Sequence, residues 1–163
     1  MDFTFRDIDS TSDINVLIDF MSKQPLSYPN YNDWLQRSEP EFYMEYKHAI
    51  LAFSDRKLVG DLVFQPDKYL PKTLEIKNLR IHPDLRRRDF GHFMLRQLEE
   101  IAKKERKYSV IRADTRSTQK DIINLLKFTN YKELARAPLY DSNEEDVIFV
   151  KSLFPKTPYL ISA

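Results

Sequence analysis

"LRRRDFGHFMLRQLEE", Leu85 to Glu100, joins a basic turn to a patterned helix, and the fold is read outward from it. Phe90, Phe93, Met94, Leu98, Ile101 and Ala102 recur at helical spacing as one apolar stripe, with Arg, Glu and Lys opposite. Arg86, Arg87 and Arg88 precede the helix. Gly91, one of only two glycines in the chain, lies at its start. The first turn of a helix leaves backbone N–H groups unpaired and carries partial positive charge. A glycine and three guanidinium groups placed there predict a held anion. The plainer alternative is a solvated basic turn capping an ordinary helix.

Upstream, "TLEIKNLRI" (Thr73 to Ile81) alternates apolar and polar side chains and ends at His82-Pro83, as a strand would. "HAILAFSD" and "KLVGDLVFQ" are apolar runs around a short polar turn and predict a hairpin, with Gly60 marking a bulge or a close backbone approach. "FTFR" reads as an opening strand. Ile14, Leu17, Ile18 and Met21 predict a helix capped by Ser12 or Asp13. "QPLSYPNYNDW" is expected as a loop, followed by an ill-defined helix from about Asp33 to Tyr46 that Pro40 interrupts. Downstream, "YSVIRADTR" predicts a strand and "STQKDIINLLKF" a helix whose Thr118 and Asp121 have capping-box spacing. "YKELARA" and "EDVIFVKSL" predict a closing strand pair around "PLYDSNEE", and the tail from about residue 154 reads as irregular.

The 163 residues suit one α/β domain, 1–163, with room for a proper core. Lys plus Arg is 26 and Asp plus Glu is 25, a net charge of +1, so no global field steers the chain onto nucleic acid or anionic membrane. Arg86 to Arg88, Arg96 and the run "KKERK" are the local features on which a nucleic-acid reading would rest. The absence of cysteine excludes a disulfide framework, a thiolate metal site and a cysteine nucleophile. His48, His82 and His92 are scattered, so no metal is expected. The N-terminus lacks a signal-peptide pattern, and no stretch approaches the roughly 18 apolar residues of a membrane span. A cytoplasmic location is the expectation.

The order strand, one or two helices, three strands, helix, strand, helix, two strands, with its arginine-rich turn, resembles the GNAT superfamily of acyl-CoA-dependent N-acyltransferases from Phe3 to about Leu153. Arg86-Arg87-Arg88-Asp89-Phe90-Gly91 is similar to that family's (Gln/Arg)-x-x-Gly-x-(Gly/Ala) motif. "KLVGDLVF" resembles its third strand, and "LLKFTNYKEL" occupies the place of its late Tyr-x-x-x-Gly-Phe segment. The resemblance implies a mixed, mostly antiparallel central sheet of about seven strands with helices on both faces, and acetyl-CoA as co-substrate. It also implies a pyrophosphate held by Arg86, Arg87, Arg88, Asp89, Phe90, Gly91 and His92, with Gln119 at the later helix start. The backbone of Leu79, Arg80 and Ile81, splayed from its neighbouring strand, would pair with the pantetheine arm. Asp89 stands where the family has its middle glycine. Aspartate tolerates the left-handed conformation better than most residues, but its carboxylate would repel a phosphate.

Glu75 falls where the histone acetyltransferase branch carries a glutamate base. A lysine-like amine has a pKa near 10.4, so removing its proton at neutral pH costs about 4–5 kcal/mol, which a neighbouring base helps to offset. The plainer alternative makes Glu75 a surface residue or a partner of Lys77 or Arg80. With no cysteine, direct attack of a primary amine on the acyl group is expected. The family's general-acid tyrosine is Leu126 here, its late glycine is Asn130, its phenylalanine is Tyr131, and a frequent asparagine is Gln119. Tyr28, Tyr31 and Trp34, placed in the first inter-helix loop, are acceptor-pocket candidates, with core packing the alternative. The partner implied is a small-molecule or protein amine, with homodimerisation open. The competing reading is a catalytically silent module of the same fold that binds CoA or a partner, for which Asp89 and Leu126 speak.

Overall fold

The computed structural model describes residues 2–23, 29–86, 88–105 and 107–154, so Tyr28, Arg87 and the tail from residue 155 lie outside the described residues. The elements are β1 (Phe3–Asp7), α1 (Thr11–Ser22), α2 (Tyr31–Tyr43), β2 (His48–Ser54), β3 (Lys57–Pro66) and β4 (Thr73–Ile81), a 3-10 turn (Pro83–Leu85), then α3 (Phe90–Glu105), β5 (Val110–Arg116), α4 (Lys120–Phe128), β6 (Lys132–Asp141) and β7 (Glu144–Ser152). The strands form one sheet in the order β1-β2-β3-β4-β5-β7-β6. The β1–β2, β2–β3, β5–β7 and β6–β7 pairs are antiparallel and β4–β5 is parallel. The chain forms two compact units, one of residues up to Gln65 with Lys77–Met94, the other of Pro66–Ile76 with residues from Leu95 onward.

In the first unit, Ile14, Leu17 and Met21 of α1 pack with Leu35 and Phe42 of α2 and with Ala49, Leu51 and Val63 of the sheet. The cap of α1 is Ser10, whose Oγ accepts from Asp13 N–H at 3.3 Å, and not Ser12 or Asp13. Asp13 is taken by Arg6 in a two-pronged bond (2.7 and 3.0 Å), and that pairing holds its carboxyl well below the usual range. Pro40 lies inside α2 and does not interrupt it. One missing N–H near a helix end is tolerated when Leu35, Ser38 and Phe42 bury the same face. Tyr31 and Trp34 therefore belong to this helix, not to a loop.

The β2–β3 hairpin forms as expected. Its register shifts between Ala52 and Phe53, beside Gly60. A Cβ built on Gly60 would come within 2.9 Å of the Arg80 carbonyl and 3.0 Å of Ile81 Cδ1, so this glycine permits close backbone approach to β4. The start of α3 is pinned by Phe90, whose ring packs edge-on against Phe3 (4.7 Å) and Phe5 (5.5 Å). Phe93, expected in the buried stripe, is 49% exposed, while Leu95 is fully buried. The buried row follows Phe90, Met94, Leu98 and Ala102 at i+4, which turns Phe93 to the rim beside Phe5.

In the second unit, β6 and β7 extend further than expected, through Pro138 to a tight turn at Ser142-Asn143. Pro138 fits because the ladder shifts register between Ala137 and Asp141 and β6 is an edge strand. The Thr118–Asp121 capping box does not form. Gln119 is the N-cap and makes no side-chain cap bond, while the Thr118 carbonyl accepts from Lys120 N–H at 3.0 Å. Among the described residues, no helix is long and apolar enough to cross a membrane.

Candidate active site

The basic turn is built from β4 outward. His82 N–H donates to Val59 O at 2.7 Å, closing the strand end. The 3-10 turn that follows is held by Leu85 N–H to His82 O at 2.9 Å and by Asp84 N–H to His82 Nδ1 at 3.2 Å. Arg86 is extended, and its Nε donates to Ile81 O at 3.4 Å. Arg86, Arg88 and Asp89 are exposed. Asp89 takes φ 62°, the left-handed conformation that the family's glycine would supply, and its carbonyl receives the helix's early bond from Phe93 N–H at 3.0 Å. The amides of Phe90 and Gly91 precede that bond and are helix-start donors. Gly91 has no positive φ, so what it contributes is the lack of a side chain. The ring of Phe90 is committed to the core, so only its backbone faces the turn as a donor. His92 is half-buried with its ring 6.4 Å from that of Phe93. An anion of pyrophosphate size fits this donor set chemically, with two exposed guanidinium groups beside a helix start.

In the same unit, Leu79, Arg80 and Ile81 are half-buried on β4. Tyr31 is 7% exposed, its hydroxyl donates to Met21 O at 3.1 Å, and burial pushes its pKa up to about 12. Trp34 is half-buried, 5.7 Å from the Tyr31 ring, with Lys47 Nζ 5.7 Å from its own ring. Both aromatics thus pack on the apolar cluster of α1 and α2.

Glu75 and Gln119 belong to the second unit. Glu75 is 7% exposed and stands opposite Arg112 across the β4–β5 ladder, which covers Thr73–Ile76 and Val110–Ala113. Arg112 binds Asp67 Oδ2 at 2.9 Å and Asp114 Oδ2 at 2.6 Å. Burial alone would lower the Arg112 pKa, but Asp114, Glu75 and Asp67 together hold it above its ordinary value. Tyr140 Oη donates to Asp114 Oδ2 at 3.4 Å. Glu75 is therefore a buried carboxyl facing a cation that three acids share, not a surface residue. Leu126 is 1% exposed and packs in the core.

Sequence reading missed Asp61, Asn78, Asp67, Arg112 and Asp114. Asp61 has no exposed surface, its Oδ1 accepts from Asn78 Nδ2 at 2.7 Å, and burial pushes its carboxyl up to about 7 against the pull of Asn78 and Arg80. A signal for it was present: one carboxylate in the middle of the apolar run "LVGDLVF".

A seven-stranded sheet with β4 and β5 parallel, followed by an arginine-flanked helix start after β4, defines an acyltransferase-type fold. The sequence model of the acetyltransferase (GNAT) family matches residues 9–130, and the chain belongs to that family of acyl-CoA-dependent acetyltransferases. Among solved structures, the chain is similar to an N-acetyltransferase from Staphylococcus aureus Mu50 (TM-score 0.76, 14% identity, 94% of this chain and 100% of that one). It is also similar to the ribosomal-protein-S18-alanine N-acetyltransferase from Escherichia coli (0.72, 15%, 98% and 100%). A third is the PaiA N-acetyltransferase from Thermoplasma acidophilum in complex with coenzyme A (0.70, 17%, 93% and 99%). At these identities the likeness is one of fold. No curated protein matches the sequence.

Proposed function

We propose that this protein transfers an acetyl group from acetyl-CoA directly to a primary amine. The observation that carries the proposal is the turn before α3, where Asp89 at φ 62° keeps a glycine-like bend and Arg86 and Arg88 stand exposed beside the helix-start amides. Those groups, with Arg87, Phe90, Gly91 and His92, are assigned to the pyrophosphate. Gln119 is assigned to the cofactor at the start of α4, and the backbone of Leu79, Arg80 and Ile81 to the pantetheine arm. The CoA named in the Thermoplasma structure supports that assignment by likeness of fold.

In the reaction, the amine nitrogen bonds to the acyl carbon, the carbon–sulfur bond breaks and the nitrogen's surplus proton leaves to water, while beforehand the ammonium form must lose one proton to become the nucleophile. Glu75 is assigned the role of base for that proton. Its burial beside Arg112 supports a pre-oriented carboxylate whose geometry does not drift during the reaction. No acyl-enzyme on cysteine arises, since the chain has none. The departing thiolate is weakly basic, with a pKa around 8.5 for a thiol, so protonation from water suffices without the tyrosine that Leu126 replaces. Tyr28 and the half-buried Trp34 are assigned to the acceptor side, where a small-molecule or protein amine would enter, while Tyr31, buried with its hydroxyl on Met21 O, is left to core packing.

Calorimetric titration with acetyl-CoA and thiol release over a panel of amines test the proposal. Saturable binding with release on at least one amine is the expected result. Absence of binding removes it. Binding without release on any acceptor would favour the silent module, for which the buried Leu126 is the specific observation.

A further inference from the structure

Asp61 lies mid-strand in β3 with no accessible surface, and its Oδ2 has no hydrogen-bond partner among the described residues. A buried carboxyl oxygen without a donor is costly, and an apolar residue would fill a purely structural position on β3 better. Among the described residues, the following groups act on it or face it. On β4, Asn78 donates to Oδ1 and Arg80 acts on Asp61 by its charge. From α2 comes the Tyr31 phenol, which feels both Asp61 and Arg80 and is committed to Met21 O. On β2 the residue directly opposite is the apolar Leu51. Asn78 and Arg80 flank Leu79, the first residue of the strand segment assigned to the pantetheine arm.

We infer that Asp61 is a positioning residue that acts through Asn78 and Arg80 to align the Leu79–Ile81 backbone, so that acyl-CoA affinity follows the charge on its carboxyl. The inference rests on the acyl-CoA assignment above. An ionised Asp61 holds Arg80 by charge and Asn78 by a charge-assisted bond; a proton on it cancels the first and weakens the second. Burial sets that change near pH 7. Affinity therefore falls as pH drops through this point, and by reciprocity acyl-CoA binding releases a proton from the protein.

The test is calorimetric titration of acetyl-CoA into wild type and Asp61→Asn at pH 6, 7 and 8, in buffers of different ionisation enthalpy. The asparagine keeps the shape and an acceptor for Asn78. Wild type should weaken up to about tenfold more than the variant between pH 8 and pH 6, and should release more protons. The ligand's own phosphate titration is common to both proteins and cancels in that comparison. An identical slope and identical proton release in the variant overturn the inference. If circular dichroism shows that Asp61→Asn does not fold, Asn78→Ala decides. Losing the amide donor must move the midpoint of the affinity profile to higher pH, and an unmoved midpoint overturns the inference. Wild type that binds no acetyl-CoA at any pH overturns the acyl-CoA assignment itself, a result separate from equal slopes.

Discussion

At Asp89 and Asn130 this chain lacks two glycines of the family pattern, and both positions nevertheless hold positive φ, 62° and 69°. Aspartate and asparagine enter the left-handed region at lower cost than other residues with a Cβ, so the backbone survives the loss of glycine. At Asn130 the bend ends α4, with Tyr131 N–H to Leu126 O at 2.9 Å and Asn130 N–H to Lys127 O at 3.1 Å. At Asp89 the bend comes with a negative charge in the turn assigned to phosphate. Asp89→Gly should tighten acetyl-CoA severalfold while changing stability by less than about 1 kcal/mol, because relief of strain and added chain entropy oppose each other. Calorimetry and urea melts check this; unchanged affinity would place the carboxylate away from the phosphates. Arg86→Ala and Arg88→Ala should each weaken acetyl-CoA about tenfold or more with little change in melting temperature, since both side chains are exposed. Equal affinity in both variants would remove the phosphate assignment. Glu75→Gln should lower turnover by about 10²–10⁴ with cofactor affinity within about twofold. Full activity of that variant across pH would end its role as base.

Among the elements, β3 and β4 carry the most information for the site. Gly60 sets their separation, with the Arg80 carbonyl only 2.9 Å from where a Cβ would stand. Backbone cannot yield there as a flexible side-chain tip would. Gly60→Ala is therefore expected to cost about 1–3 kcal/mol in urea unfolding and to loosen acetyl-CoA by displacing Arg80 and Ile81. A variant of native stability would mean that β4 shifts at no cost. Helix α2 teaches a complementary lesson. Pro40 and the polar run from Gln36 to Glu39 weaken its local signal, and only packing of Leu35 and Phe42 against α1 and the sheet makes it regular. Its neighbour α1 is ordinary in pattern, yet it starts earlier than read, with Ser10 as cap and Asp13 in the first turn, held by Arg6 and the Asp9 amide.

Over the whole molecule, buried acids make stability depend on pH in two opposite directions. Asp13, through Arg6, has a lowered pKa. So has Asp67, where burial opposes the shift and the Leu70 and Tyr69 amides and Arg112 outweigh it. Their contribution is present above the unfolded value near 3.9 and is lost as pH falls below it. Asp61 is raised to about 7, so the native state binds its proton first, and stability falls as pH rises from about 4 to 7. The melting temperature should therefore peak near pH 4, where the two limbs meet. Asp61→Asn should remove the decline toward pH 8, worth at most a few kcal/mol for a fully buried group. Scanning calorimetry from pH 3 to 9 checks both limbs, and an unchanged alkaline limb in the variant would show that burial does not raise the proton affinity of Asp61. Element order, the hairpin at Asp55-Arg56, the basic helix start and the family were legible from the sequence alone, because spacing of apolar residues and local turn chemistry act over a few residues. The site was legible only in part. Arg86, Arg88, Asp89 and Gly91 are neighbours in the chain, so their shared turn could be read. Asp61 with Asn78, and Asp67 with Arg112, meet only after strands pair. Burial and proton affinity are properties of that pairing, which is why tertiary structure alone decided which carboxyls are costly and which cations hold them.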